Sequence, residues 1–382
     1  MVRSRLLTLL LLGCVYSGFL FASGKTEKEQ IPLKELRAFA ETYWQIKQSY
    51  VDEIDDRTLI EGAISGMLQS LDPYSNYLDK NALMDLQSSS DGFYDGLGVE
   101  VVNENQQVKI VNTLNDSPAQ RAGIMVNDVI TEVNHAKVKL VGADRAIEQM
   151  RGKAGESIHL RISRAGKPID FTLVREKLEV KSVALDEVRP GYWHARISVF
   201  QRDTGYELSR QLRLNAIRPG FKGLVLDLRD NPGGVLKAAV DVVDLMLEQG
   251  LIVVTDGRDP DSKQRFYANP GDELESIPLV VLINKNSASA SEIVAGALQD
   301  HGRAIIAGSE SYGKGVVQSV LPIRHDAAIK LTTSRYFTPK GRSIHGKGIL
   351  PDVAMAEQSE ADHDSILNEA LELLVKHSQR NL

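Results

Sequence analysis

The chain has 382 residues, enough for roughly two or three domains with separate cores. Apolar residues make up 42% and charged residues 25%, the balance of an ordinary water-soluble fold. The formal net charge of −6 and the lack of a Lys/Arg stripe argue against a nucleic-acid partner.

Arg3 and Arg5 precede an apolar stretch, residues 6–22, which gives way to a polar run at residues 25–29. A basic start, an apolar middle and small residues at Ala22-Ser23-Gly24 have the layout of a secretory signal. Residues 1–24 are therefore expected to be a signal peptide. The stretch is about 17 residues long, the lower limit for a spanning helix, so a retained membrane anchor stays open. Cys14, the only cysteine, follows Leu11-Leu12-Gly13, which resembles a lipoprotein cleavage site. The leucine before the glycine and the apolar residues 15–21 are atypical of one, and lipidation stands as a third alternative. A mature chain without cysteine has no disulfide, thiolate metal site or cysteine nucleophile. The layout predicts export, and with the family resemblance drawn from the motifs below the expected location is the bacterial periplasm, either soluble or attached to the inner membrane.

Residues 25–90 are expected to be helical. Phe39, Tyr43, Ile46 and Tyr50 recur at helical spacing, and Leu59, Ile60, Ala63, Ile64, Met67, Leu68 and Leu71 form a second stripe. Asp72-Pro73-Tyr74-Ser75-Asn76 ends the pair with turn chemistry, and residues 87–92 read as a boundary. Residues 91–178 look like a small module of short strands at 98–102, 108–112, 128–134, 158–163 and 169–174. Ser117 to Gly123 reads as a short helix with proline in its first turn and a glycine stop.

Residues 179–352 alternate strand and helix. Strands are expected at 193–199, 223–228, 279–283 and 304–307, and helices at 204–217, 235–247 and 291–300. That alternation predicts βαβ units around a buried sheet. Residues 353–382 form a tail that ends in an amphipathic helix carrying Ile366, Leu367, Ala370, Leu371 and Leu374. The fold class is α/β with terminal helical segments.

Ser289 lies in Asn286-Ser287-Ala288-Ser289-Ala290-Ser291-Glu292, between an apolar strand and a helix. A serine there stands beside unpaired helix N–H groups that can stabilise a tetrahedral oxyanion. Any of the three serines can instead merely cap the helix. Lys314 lies in Tyr312-Gly313-Lys314-Gly315-Val316-Val317-Gln318, with no carboxylate among these neighbours. Holding its amine neutral at pH 7 takes about 3.4 pKa units, which desolvation can supply. If the strand is regular, Lys314, Val316 and Gln318 share a face, and the Gln318 amide orients the amine. Residues 308–314 approximate a phosphate loop, but Gly315 replaces its hydroxyl residue and a strand follows, which removes that reading. Asp227 to Gly234 ends a buried strand in a Pro-Gly turn, where Gly233 or Gly234 can offer a backbone N–H to an oxyanion. His301, His325 and His345 have no comparable setting for a base, and no metal or cofactor signature occurs.

These runs occur with Leu71-Asp72-Pro73-Tyr74-Ser75, Gly96-Leu97-Gly98-Val99 and Ser117-Pro118-Ala119 through Gly123. Over residues 35–352 the ordered set resembles the C-terminal processing peptidases, or tail-specific proteases, of serine peptidase family S41. The resemblance implies a ClpP/crotonase-like peptidase core preceded by a PDZ domain. It implies Ser289 as nucleophile, Lys314 as general base and Gln318 as its orienting partner. The N–H of Ala290 and that of Gly233 or Gly234 then form the oxyanion hole. Some members place an acid at the position of Asp300. A continuous helix would put Asp300 roughly 15 Å from the serine, so a supporting role is expected. Asp230 stands where the family often has glycine or asparagine.

The resemblance further implies that Gly96, Leu97, Gly98 and Val99 present N–H groups to a substrate's terminal carboxylate, with the tail added as a strand. Arg151 is a candidate for charge coupling between PDZ domain and core. The expected partners are proteins with exposed apolar C-termini. An adaptor, and homo-oligomer formation through the terminal helices, stay open. A PDZ scaffold with a silent core is the competing class, and a crotonase-type acyl-CoA enzyme would leave the PDZ block unexplained.

Overall fold

This computed structural model describes residues 31–217, 219–274, 277–323, 326–355 and 363–380. The leader expected at residues 1–24, with Cys14, lies outside them. By contact the chain divides into two compact units, Met1–Ala63 and Ile64–Leu382. In the first, the helix Leu33–Ser49 buries none of its residues, and Phe39, Trp44, Ile46 and Tyr50 are exposed. Lys47 donates to the Ile54 carbonyl at 2.6 Å and pairs with Asp56 at 2.9 Å, closing the turn to the helix Asp56–Gln69.

In the second unit, the short strand Asn76–Leu78 precedes a helix, Lys80–Ser90. Asp79 caps that helix by accepting the Ala82 N–H at 2.8 Å. Residues 87–90, read as boundary, are its last turn; their polar character reflects an open helix end. Next comes an antiparallel sheet built from Val99–Glu104, Gln107–Thr113, Val129–Val133, Ser157–Arg164 and Lys167–Val174, with Ala136–Lys137 at its side. Its core takes alternate residues, such as Val108 with Ile110 and Ile158 with Leu160 and Ile162, as a sheet with one covered face requires. Buried Asp128 holds the Arg164 guanidinium at 2.7 Å behind this sheet.

The larger α/β layer is a sheet ordered Val183–Arg189, Tyr192–Ile197, Gly223–Asp227, Leu279–Ile283, Ile305–Gly308 and Val353–Ala354. Its first pair is antiparallel and the rest parallel. Every residue of Gly223–Asp227 and Leu279–Ile283 is buried, which explains their unbroken apolar sequence. Leu224, Leu226, Val281 and Ile283 face the helices Thr204–Gln211, Leu236–Asp244 and Ala290–Asp300. Val225, Val280 and Leu282 face Ile366, Ala370, Leu371 and Leu374 of the helix His363–Arg380. The helix expected to reach Ile217 ends at Gln211 and continues as a π-helical turn, Leu212–Ala216.

A second antiparallel sheet, not anticipated from sequence, joins Asn76–Leu78, Ala327–Phe337, Gly250–Gly257 and Gln264–Ala268. The strand Val316–Ile323 pairs with Ala327–Phe337 at its side. Gln318 lies in the strand Val316–Ile323, and Lys314 lies two residues before it.

Candidate functional site

The three serines of the strand-to-helix loop separate by their partners. Buried Ser287 donates to the Leu228 carbonyl at 2.8 Å and accepts the Asn284 N–H at 2.9 Å. Buried Ser291 donates to the Asn231 carbonyl at 2.9 Å. Ser289 alone is half-exposed, at the N-cap of the helix Ala290–Asp300 with φ 54° and ψ −110°. That backbone is strained for an L-residue, a cost that concentrates at functional sites.

The glycine loop packs on it. A Cβ on Gly233, whose φ is 100°, would lie 2.8 Å from Ser289 Cβ and 3.0 Å from the Ala290 nitrogen, so only glycine fits. The Gly233 N–H is spent on Asn231 Oδ1 at 2.9 Å. Asn231 itself is buried, donates to the Ile197 carbonyl at 2.7 Å and accepts the Ala288 N–H at 3.0 Å. The N–H groups of Gly234 and Ala290 have no acceptor among the described residues. Of the two glycines, Gly234 is the one with a donor to offer.

Two polar clusters brace this loop. Burial pushes the Asp227 carboxyl up, but the Arg229 guanidinium at 2.6 Å and the His194 ring at 3.1 Å outweigh it and hold it well below the usual carboxylate range. Further along, Asp230 at φ 60° donates its N–H to Asn284 Oδ1 at 3.0 Å. Its carboxylate accepts from Asn284 at 3.0 Å and Asn286 at 2.8 Å. The residue that departs from the family pattern thus ties the glycine loop to the serine loop.

The absence of a carboxylate near Lys314 in sequence does not hold in space. Buried Glu292 accepts the Ser289 N–H at 2.7 Å and the Lys314 N–H at 2.9 Å on one oxygen, and the Gly313 N–H at 2.7 Å and Ser311 hydroxyl at 2.6 Å on the other. Burial raises its pKa against these four bonds. One side chain therefore brackets the serine and lysine segments. Its position three residues after Ser289 is capping-box spacing, a signal present in the sequence but unused.

Lys314 is half-buried, and its pKa is lowered by burial and by the Lys330 ammonium, with Asp72 and Glu292 opposing. Its Nζ stands 4.7 Å from the centroid of the Tyr74 ring. No hydrogen bond among the described residues joins it to Ser289. The Tyr336 hydroxyl donates to the Lys314 carbonyl and lies beside the Ser289 side chain. The shared-face argument for Gln318 needs correction: the strand starts at Val316, and its register shifts between Val317 and Gln318. Gln318 still enters the site and donates to Thr332 Oγ1 at 3.4 Å. Ser289, Ala290, Gly234, Lys314 and Gln318 line one cleft of about 550 Å³, walled on one side by Leu83 and Leu86.

Asp300 is not brought to this cleft. It is the last residue of the helix, where it accepts the Lys340 N–H at 2.8 Å and pairs with Arg342 at 2.5 Å. Arg151 is exposed, just beyond the helix Ala143–Met150. Gly96 ends a strand paired with Glu176–Glu179, and Leu97 is buried in the core of the smaller sheet. Gly98 has φ 74°, and a Cβ there would fall 2.2 Å from that of Ser117. The carbonyls of Leu97 and Gly98 accept from Ala119 at 3.0 Å and Leu114 at 2.8 Å, while Val99 opens the next strand. Among the described residues no cluster suits a metal ion, and no helix is long and apolar enough to cross a membrane.

Residues 194–355 match Peptidase family S41, residues 96–174 a PDZ domain, and residues 20–82 the N-terminal domain of the activating protease CtpB. A carboxy-terminal-processing protease of Bartonella bacilliformis is 42% identical over 337 residues, 87% of this chain and 77% of that one. A "Probable CtpA-like serine protease" of Staphylococcus aureus is 35% identical over 87% of this chain and 66% of its own length. A solved photosystem II D1 C-terminal processing protease is 27% identical with a TM-score of 0.53, covering 84% of this chain and 93% of that one.

Proposed function

The chain belongs to the C-terminal processing peptidases of family S41 and is a serine-type peptidase with a PDZ domain; on that premise we propose that it is an exported endopeptidase that captures substrate C-termini and cleaves with a Ser289–Lys314 dyad. The observation that carries this reading is the convergence of Ser289, Lys314, Gln318 and the Gly234 and Ala290 N–H groups on one cleft.

The neutral Lys314 amine takes the Ser289 proton as Oγ attacks the peptide carbonyl. The oxyanion accepts from the N–H groups of Ala290 and Gly234, donors fixed before the charge develops. The tetrahedral intermediate expels the amine, which takes the proton from the Lys314 ammonium. Lys314 then deprotonates the water that attacks the acyl carbonyl, and its ammonium returns that proton to Ser289 Oγ as the acid leaves. Gln318, held through Thr332, presents its carbonyl oxygen to the amine and adds no charge. The turn at Gly96, Leu97, Gly98 and Val99 holds the substrate's terminal carboxylate, and the tail extends the adjoining sheet edge. Residues 1–24 direct export.

The test is cleavage of an unfolded protein with an apolar C-terminus by Ser289→Ala and Lys314→Ala, each checked for folding by circular dichroism. Both are expected to be inactive, and wild-type turnover by either overturns the dyad.

A further inference from the structure

We propose that Tyr74 is a positioning residue for the catalytic base: its ring face is the seat of the Lys314 ammonium between proton transfers. The proposal rests on the reading of Lys314 as the base. Nζ lies 4.7 Å from the ring centroid, inside the range at which a ring face attracts an ammonium ion.

The ring is held by its own turn. Asp72 accepts the N–H groups of Tyr74 at 2.7 Å and Ser75 at 2.8 Å, and the Ser75 hydroxyl at 3.0 Å. Buried Ser75 then accepts the Thr332 N–H at 3.1 Å, and the next residue, Asn76, pairs with Lys330. Thr332 is also the register partner and hydrogen-bond acceptor of Gln318. One strand thus fixes both the ring under the lysine and the amide assigned to orient it. The turn is separated from Lys314 by about 240 residues of sequence, yet it is anchored to the same sheet.

A ring face attracts the ammonium and not the neutral amine. It therefore favours the protonated base, along with Asp72 of the same turn and Glu292 of the serine helix. Burial and Lys330 on the neighbouring strand favour the neutral form. Nearby, the Tyr312 side chain bonds that of Tyr74, and the Tyr336 hydroxyl donates to the Lys314 carbonyl beside Ser289. The seat keeps a desolvated lysine in place, and the amine leaves it to take the serine proton.

Removing the ring face while keeping apolar bulk should lower the Lys314 pKa by about 0.4–1.5 units, the range of one cation–π contact. In Tyr74→Leu the acidic limb of kcat/KM against pH is expected to move down by that amount, whereas Tyr74→Phe keeps its position. A purely structural role for Tyr74 would lower activity without moving the limb. Ring-fluorinated phenylalanines at position 74 preserve the shape and weaken the face stepwise, so they cover the case in which the leucine variant does not fold. Their limb should move down in step with fluorine number. Lys314→Ala is measured alongside. If it is active, the base assignment itself fails. If it is inactive and the fluorine series leaves the limb in place or raises it, Tyr74 is not the seat.

Discussion

Glu292 is the most exacting point at which to perturb the cleft, because its two oxygens serve opposite segments. One accepts the Ser289 and Lys314 N–H groups, the other the Gly313 N–H and the Ser311 hydroxyl. In Glu292→Gln the amide nitrogen cannot face two backbone N–H groups without losing both bonds. It settles on the side where Ser311 can rotate to accept, leaving the Gly313 N–H orphaned. An unsatisfied buried donor costs about 1–3 kcal/mol, and the bonds kept weaken from charged to neutral by about 1 kcal/mol each. Relief of the buried charge, visible in the raised Glu292 pKa, offsets part of this. The expected net loss is about 2–3 kcal/mol in urea unfolding, with kcat lowered modestly. Glu292→Ala removes every acceptor, and the expected loss is about 4 kcal/mol or more. With Ser289 and Lys314 no longer bracketed, kcat should fall about 100-fold, the effect of a misplacement of about 1 Å. A glutamine variant as impaired as the alanine variant, or an alanine variant with wild-type kcat, would refute the bracket.

Other consequences are open to the same assays. Asp230→Ala should lower kcat about tenfold with KM nearly unchanged, because the two loops lose their tie, and Asp230→Asn should recover most of it since asparagine tolerates φ 60°. Equal activity of the two variants would count against the tie. Arg229→Leu leaves Asp227 buried without its guanidinium and should cost about 3–5 kcal/mol at pH 7. Because the folded pKa of Asp227 is depressed, its stabilisation is complete above the unfolded value near ~3.9 and is lost as pH falls below it. In the variant that acid-dependent loss should shrink. With the proposed neutral Lys314 as base and its pKa lowered by burial, kcat/KM should rise with pH through a limb below the ordinary lysine value of ~10.4; a limb at the ordinary value contradicts this. Amidating the substrate's terminal carboxylate should raise KM, and an unchanged KM would argue against carboxylate capture at Gly96 to Val99.

The parallel strands were legible because residues such as Leu224 to Leu226 and Leu279 to Ile283 are buried on both faces and so form continuous apolar runs. The strand Ala327–Phe337 was not. Most of it is half-buried, and residues such as Lys330, Thr332 and Thr333 interrupt any alternation. Missing that strand hid how Tyr74, Thr332 and Gln318 are brought together. The serine and lysine were readable from their turns, since strand ends and glycines constrain short segments. What holds them was legible only in part: capping-box spacing announces the bond of Glu292 to Ser289, but the bonds of Glu292 and Asp230 to segments about 20 and 55 residues away leave no mark in local spacing.

Activation of Ser289 by Lys314 leaves a chemical signature. Its most direct test is the rate at which a fluorophosphonate probe modifies the protein, with the adduct located by mass spectrometry. A single adduct on Ser289 is expected, forming faster as Lys314 deprotonates and failing to form in folded Lys314→Ala. An adduct on another residue, or an equal rate without Lys314, would contradict it.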